Sequence, residues 1–221
     1  MKNLIALIAV CLAFSSSAQV SINAGGSMLA QFSPNKPWGG FHIGFEVPRD
    51  DAVSIYGRFT HHFRNFAQDS LDIFLSPRDI NSMPPGAPFY PTIGSLPSMN
   101  YNIIEGGTRY YLGNGFDYGW AAYGGSNLML IFNKVKGNHA AYDEVLYVIE
   151  ETSRYEGSIF SFGFGLGGGV KYSSAMAGTF YFDLNASYLI FNQPSVQNIY
   201  GGLHSSLLFS FNLGYRRDIL W

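Results

Sequence analysis

Residues 209–216, close to the carboxy terminus, alternate strictly between apolar and polar or small side chains. Ser210, Asn212 and Gly214 fall between apolar positions, which are Leu207, Phe209, Phe211, Leu213 and Tyr215. Successive side chains of a β-strand point to opposite faces, so this pattern predicts a strand with one apolar face. The same phase continues to Trp221 at the carboxy terminus.

The amino-terminal segment has the organisation of a secretory signal peptide. A short basic start is followed by an apolar run from Leu4 to Phe14, and then by small residues that include Ser16 and Ala18. A signal peptidase reads small residues at these two positions, and the run is too short to span a bilayer as a helix. We expect a signal peptide over 1–18 and a mature β-barrel domain over 19–221. Cys11 lies within the leader, so no disulfide or cysteine metal site is expected.

The composition favours a membrane barrel over a helical membrane protein or a nucleic-acid binder. Charged residues make up 13% of the chain and aromatic residues 17%, with 26 glycines. No stretch after the leader has the 18 or more apolar residues of a transmembrane helix. Nothing suggests the clustered basic surface that nucleic acid requires. In a barrel, alternation hides the apolar face from a hydropathy scan.

Eight segments alternate in this way, and most are long enough to cross a bilayer as tilted strands. The predicted strands are Val20–Phe32, Gly40–Val47, Val53–Arg64, Tyr101–Leu112, Trp120–Asn133, Ile159–Tyr172, Thr179–Phe191 and the closing strand from Leu207. An even number of antiparallel strands places both termini on one side of a membrane. The fold class expected is therefore all-β, an eight-stranded antiparallel transmembrane up-and-down barrel.

The connectors between these strands alternate in length. Three are short, at 48–51, 113–119 and 173–178, and the others are at 33–39, 65–100, 134–158 and 192–203. Short periplasmic turns with longer outer loops are typical of outer-membrane barrels. A soluble barrel or sandwich is the main alternative, but it would turn its aromatic residues inward and gives no reason for loops sorted by length.

These features together resemble the small eight-stranded barrels of the Gram-negative outer membrane, the group that contains OmpX, OmpW and the barrel half of OmpA. The closing strand is similar to their assembly signal, carried here by Phe209, Phe211, Gly214, Tyr215 and Trp221. Arg217 departs from that pattern, because a hydrophobic residue is expected there. The resemblance implies an outer-membrane location with both termini periplasmic, and contact with membrane lipid, with lipopolysaccharide and with the barrel-assembly machinery during biogenesis.

Strand parity predicts which charged residues face the lumen. They are Glu46, Arg58, Glu105, Arg109, Lys171, Asp183 and Arg216. Eight strands enclose an interior that side chains just fill, and unpaired buried charge is costly. We expect these groups to form ion pairs that plug the lumen, with a narrow gated conduit as the alternative. Inward glycines of the sixth strand would admit large side chains such as Tyr56 or Arg109.

The connector from Asn65 to Asn100 is the best candidate for partner binding. It is rich in proline and carries apolar residues, and long loops in compact domains are usually functional or disordered. Its candidate contact residues are Phe74, Leu75, Pro84, Pro85, Phe89 and Tyr90. An apolar loop of this kind docks a partner protein, or else it folds over the barrel as a structured cap.

The hypotheses for function follow from these predicted features. The first is a non-enzymatic membrane anchor or scaffold whose outer loops bind an envelope protein. A small porin-like channel for hydrophobic or small polar solutes and a subunit of a secretion or assembly complex are the alternatives. A lipid A-modifying hydrolase is the weakest, because His204 and Ser206 lack a partnered carboxylate. No catalytic residue, metal site or cofactor is expected. The aromatic residues near strand ends, among them Trp38, Tyr101, Trp120 and Tyr172, are expected to form interfacial girdles.

Overall fold

The computed structural model describes residues 20–32, 36–67, 70–113, 115–150, 156–194 and 203–220. The expected signal peptide, its expected cleavage site and Trp221 lie outside these residues. The division into a leader and a mature domain therefore stays a prediction, as does the role of the terminal tryptophan in assembly.

Eleven strands are described, and eight of them close into a barrel. In chain order the strands are β1 (Val20–Gln31), β2 (Trp38–Pro48), β3 (Val53–Phe66), β4 (Leu71–Pro77), β5 (Thr92–Ser95), β6 (Ser98–Tyr111), β7 (Gly119–Lys136), β8 (Tyr147–Ile149), β9 (Gly157–Ser174), β10 (Gly178–Pro194) and β11 (Leu207–Leu220). The barrel order is β1-β11-β10-β9-β7-β6-β3-β2, and every pair is antiparallel. The predicted eight-stranded up-and-down barrel is confirmed.

Several barrel strands are longer than the sequence pattern predicted. β7 and β9 pair continuously from Gly119 opposite Ser173 to Val135 opposite Gly157. β6 begins at Ser98, three residues before its predicted start. The alternation of apolar and polar residues is clear only where one face contacts lipid, so the pattern weakens where the ladder continues beyond the membrane.

The short connectors lie at the end of the barrel that also holds the termini of β1 and β11. In the first connector the Asp50 carboxylate accepts hydrogen bonds from the backbone N–H groups of Ala52 and Val53, at 2.9 and 2.8 Å. Gly113, Gly119 and Gly178 have φ angles of 100°, 95° and 80° in or beside the other two. These angles favour glycine, which has no Cβ to clash. The chain therefore reverses tightly at this end.

The outer face of the barrel is apolar, and the inner face carries the buried charged side chains, the reverse of a soluble protein. Ile43 and Leu166 point outward with 53% and 62% of their surface exposed, whereas Ser54 and Lys171 point inward and are buried. On β7 the outward apolar band runs from Trp120 to Phe132. At about 3.3 Å per residue and a tilt of about 40° this band is about 30 Å tall, which matches the hydrocarbon core of a bilayer.

Aromatic pairs mark both ends of this apolar band. Trp120 packs on Tyr172 with ring centroids 5.1 Å apart near the short turns, and Phe132 packs on Phe160 at 5.2 Å near the long loops. The prediction for Trp38 and Tyr101 was wrong, because both point inward and are 1% and 0% exposed. They fill the lumen, since strand parity at the outer ends of β2 and β6 directs them away from lipid.

A second sheet lies in the long connectors. β4 pairs with β5 and with β8, and a short 3-10 turn at Ile80–Ser82 follows β4. The connector at 65–100 is therefore a hairpin joined to the next long connector, and it is not a structureless loop. Its ends also differ from the prediction, since β3 continues to Phe66. In the described part of the chain, no helix is both long enough and apolar enough to cross a membrane.

A charge on the outer face tests whether that face contacts lipid. Leu166 pairs with Ser126, midway along the apolar band. We expect Leu166→Arg to lower the free energy of unfolding in lipid vesicles by about 2–4 kcal/mol, because an arginine at the bilayer midplane is poorly solvated. Met176→Arg, in a short turn with Met176 96% exposed, is the matched control and should change it by less than about 0.5 kcal/mol. Equal effects in urea titrations would contradict the membrane assignment.

Candidate functional site

Six buried charged side chains form one connected network in the half of the lumen nearer the termini. The two nitrogens Nε and Nη2 of Arg58 lie 2.6 and 2.5 Å from Glu105 Oε1, and its Nη1 lies 2.9 Å from Asp183 Oδ2. Arg109 bridges Asp183 and Glu46 at 2.9 and 2.6 Å. Arg216 Nη1 lies 3.4 Å from Glu46 Oε2. Three guanidinium groups thus alternate with three carboxylates.

Hydroxyl and aromatic groups complete this network. Ser54 Oγ and Tyr111 OH donate hydrogen bonds to Glu46 Oε1 at 2.6 and 2.5 Å, and Tyr123 OH donates to Asp183 Oδ1. The guanidinium of Arg109 also lies 4.5 Å from the ring centroid of Tyr56. Buried ion pairs are tolerated when further hydrogen bonds satisfy the remaining lone pairs. The carboxylates therefore have the partners that burial in the lumen requires.

Lys171 differs from the other predicted members of this network. Its Nζ donates to the backbone carbonyl of Asp117 at 2.6 Å and to Ser173 Oγ at 3.0 Å. In the described residues it forms no ion pair. The prediction placed Lys171 correctly on the inner face. Its position near the end of β9 brings it close to the short turn between β6 and β7, which contains Asp117. There it holds the turn against the lumen.

Inward glycines on β9 make room for the polar side chains beside them. A Cβ on Gly169 would lie 2.8 Å from the Tyr123 ring. Gly165 and Gly167 are similarly close to Asn127 and Asn185. Tyr56 and Arg109 were expected to occupy this space, but residues of the strands adjacent to β9 lie closest. The glycines therefore let Tyr123 reach Asp183.

The half of the lumen nearer the long loops is filled with apolar side chains. One buried cluster contains Leu29, Trp38, Ala67, Met99, Tyr101, Ile103, Met129, Ile131, Val135, Ile159, Leu189, Leu203 and Leu208. Trp38 Nε1 donates to the Met99 carbonyl at 3.0 Å, and Tyr101 OH donates to the Leu203 carbonyl at 3.1 Å. Sequence reasoning missed this plug because it considered only the charged inward positions. The sequence did contain a signal for the plug, because strand parity directs several apolar residues of β6 and β7 toward the lumen.

The described residues leave little open space in the lumen. Two small cavities there have volumes of about 10 Å³ each, and they are lined by Arg109 and Asp183 and by Arg58 and Glu105, respectively. A cavity of this size holds about one water molecule. The charged network and the apolar plug together occupy the cross-section that a solute would need.

The histidines that suggested catalysis are not arranged as a hydrolase site. His204 and Ser206 precede β11, so strand parity does not orient them, and His204 Nε2 lies 3.1 Å from Asn192 Oδ1. Burial lowers the pKa of His204, so its imidazole is neutral near pH 7. His62 Nε2 lies 3.1 Å from Ser27 Oγ deep in the lumen, away from lipid. No group of three or more potential metal-ligating side chains is found in the described residues.

The predicted partner residues lie on β4 of the outer sheet (β4, β5 and β8) and in the connection between β4 and β5. Phe89 and Tyr90 are 52% and 65% exposed, Phe74 is 52% exposed, and Pro84 and Pro85 are also exposed. The expectation for Leu75 was wrong, because Leu75 is 1% exposed. It follows Phe74 on β4 and points to the opposite face, which is buried. Tyr147 OH donates to the Pro88 carbonyl at 2.8 Å and ties the two connectors together. The outer sheet is thus a folded surface above the barrel.

Comparison with solved structures finds proteins with a similar overall fold. Neisserial surface protein A (NspA) matches with a TM-score of 0.51 and 13% identity, over 92% of this chain and 98% of that one. A major outer membrane protein from Thermus thermophilus gives 0.49 and 10%, over 91% and 100%. Ail of Yersinia pestis, solved with the heparin analogue sucrose octasulfate, gives 0.44 and 12%, over 90% and 97%. No family profile and no curated protein sequence matches the chain.

These comparisons bear on the fold alone. At such low identity the match to NspA supports an eight-stranded barrel for nearly the whole of both chains. The resemblance to small eight-stranded outer-membrane barrels, predicted from alternation and loop lengths, is thereby confirmed.

Removing one arginine tests the charge network. Arg109→Ala leaves the carboxylates of Glu46 and Asp183 buried with fewer cations, so we expect the free energy of unfolding to fall by about 3–5 kcal/mol. Arg49→Ala, in an exposed short turn, is the control and should change it by less than about 0.5 kcal/mol. A loss below about 1 kcal/mol for Arg109→Ala, measured by denaturant titration in lipid, would show that the network contributes little.

Proposed function

We propose that this protein is a non-enzymatic barrel of a Gram-negative outer membrane that anchors a docking surface for another envelope protein. One observation carries the proposal: a filled lumen lies beneath a folded outer sheet whose surface exposes apolar side chains. The barrel then serves as support, and the loops carry the contact.

The lumen argues against a channel for solutes. Three arginines and three carboxylates occupy the inner half, and thirteen buried hydrophobic residues occupy the outer half. Moving a solute through would separate buried ion pairs, which is costly in a low-dielectric interior. The channel alternative therefore requires a rearrangement of both halves.

The outer sheet has the properties of a protein contact surface. Apolar residues that are more than two-fifths exposed cluster in and around it, namely Phe74, Ile80, Phe89, Tyr90, Val145 and Val148. The sheet lies beyond the apolar band, so lipid does not cover these residues. Exposed apolar patches with a polar rim mark interaction sites in soluble regions, and Arg78, Asp79 and Asp143 supply such a rim. A scaffold subunit of a larger envelope complex fits the same surface.

The proposed orientation follows from the connectors. The short turns lie at the same end of the barrel as the first residue of β1 and the last residue of β11. An exported chain leaves this end in the periplasm. The outer sheet then faces the cell exterior. A lipid A-modifying hydrolase is not favoured, because His204 has an asparagine partner and no carboxylate is bonded to it in the described residues.

Partner capture tests the docking surface. A mild-detergent pull-down of the tagged protein from native outer membranes should recover a stoichiometric partner, identified by mass spectrometry. Phe89→Ser with Tyr90→Ser should reduce recovery about tenfold, because exposed aromatic anchors carry much of the energy of such contacts. Met176→Ser, an equally exposed apolar position at the opposite end, is the control. A lone barrel from wild-type membranes would contradict the scaffold role.

Single-channel recording tests the alternative. We expect no conductance steps from the folded wild-type protein in a planar bilayer, because the apolar plug and the ion pairs fill the lumen. The measurement is the step frequency at fixed voltage against protein-free detergent as the control. Regular steps of uniform size would favour the channel over the anchor.

A further inference from the structure

The membrane-facing surface has an apolar groove across β3, β6 and β7. Gly57 and Gly106 lie opposite each other in the ladder. The Phe45 ring covers Gly57, so Gly106 forms the open floor of the groove. Its volume is about 960 Å³, and its walls include Ile43, Phe45, Phe59, Ile104, Leu128 and Leu130. A Cβ on Gly106 would have one neighbour within 4 Å, the Tyr56 carbonyl oxygen at 3.6 Å, so the space above this glycine is open. The groove is therefore accessible from the bilayer.

A pair of lysines lies at the outer end of the same surface. Lys134 and Lys136 alternate with inward residues on β7, follow the exposed Phe132, and are themselves exposed. Neither forms an ion pair with another described residue. Glu156 immediately precedes Gly157, which pairs with Val135, so these three side chains together carry a net charge of +1. The surface above the groove is therefore cationic.

Polar side chains of β3 and β6 lie beside these lysines at the same end of the barrel. The backbone N–H of Lys134 donates to Asn100 Oδ1 at 3.2 Å, and His61 Nδ1 lies 2.7 Å from Asn102 Oδ1. The His61 ring packs against Phe63, with centroids 5.5 Å apart. Amide, imidazole and ammonium groups above an aromatic belt suit the headgroup region of a membrane.

The distance between the groove and the lysines matches one leaflet. Leu128 lines the groove, and Lys134 lies six residues further along β7. At about 3.3 Å per residue and a tilt of about 40°, the separation along the membrane normal is about 15 Å, half of a hydrocarbon core of about 30 Å. A lipid whose acyl chains fill the groove therefore places its headgroup at the lysines.

We propose that β3, β6 and β7 bind one outer-leaflet lipid with a phosphate headgroup. Its acyl chains lie over Gly106, beside the Phe45 ring, and its phosphate contacts Lys134 and Lys136. A second copy of the chain fits less well, because a symmetric dimer with both copies in one orientation brings each lysine pair against its equivalent. This site goes beyond the anchoring role, since it makes the barrel selective for the lipid around it.

Native mass spectrometry of the full barrel released from nanodiscs tests the headgroup contact. The nanodiscs contain equal amounts of phosphatidylglycerol, which is anionic, and phosphatidylcholine, which is zwitterionic. We expect wild type to retain phosphatidylglycerol preferentially, and Lys134→Gln and Lys136→Gln to reduce that preference about fivefold each. Lys36→Gln, an exposed lysine in the connector between β1 and β2, is the control and should leave the preference unchanged.

A second pair of variants tests the groove in the same experiment. Gly106→Leu should fill the groove and reduce retention of both lipids, leaving the headgroup preference as it was. Gly26→Leu, on the outward face of β1 with nothing within 4 Å of its Cβ, is the control and should retain lipid like wild type. The proposal is overturned if wild type shows no preference, if Lys36→Gln has the same effect as the lysine pair, or if the species lost with Gly106→Leu is a dimer. Circular dichroism checks that every variant is folded.

Discussion

The pairing of β1 with β11 is the constraint on which the rest of the structure depends. Lipid offers no hydrogen-bond partners, so a sheet in a bilayer must close and leave no edge. The ladder from Ser21 opposite Asp218 to Gln31 opposite Leu208 provides this closure. Closure fixes the number of strands, and eight strands fix a lumen that side chains can fill. Every feature of the interior follows from that narrow cross-section.

The filled lumen divides into two layers with different chemistry. Near the termini, Arg58, Arg109 and Arg216 alternate with three carboxylates, so this network carries no net charge although it is made of charged groups. Near the long loops the layer is apolar, and Trp38 and Tyr101 are its largest buried members. The outer sheet rests above this layer, so a rigid barrel supports the surface that we propose for partner binding.

Strand number, strand parity and the asymmetry of the connectors could be predicted from the sequence, because alternation reports directly which face of a strand contacts lipid. Alternation does not show how far along the barrel axis a side chain lies, or which residues it contacts. It placed Lys171 on the inner face but could not show that the Asp117 carbonyl is its acceptor. It also could not show that Leu75 is buried in a hairpin that pairs with β8, since that pairing joins residues far apart in the chain. Trp38 was expected at the membrane interface, but its position at the start of β2 directs its side chain into the lumen.

Labelling with a membrane-impermeant maleimide tests the central claim of an outer-membrane anchor with an exterior docking surface. The single cysteine, Cys11, lies in the expected leader, so introduced cysteines report alone. In intact Gram-negative cells, Phe89→Cys should label, Leu166→Cys should not, and Met176→Cys should label only after the outer membrane is permeabilised. Rapid labelling of Met176→Cys in intact cells, or protection of Phe89→Cys, would contradict the proposed topology.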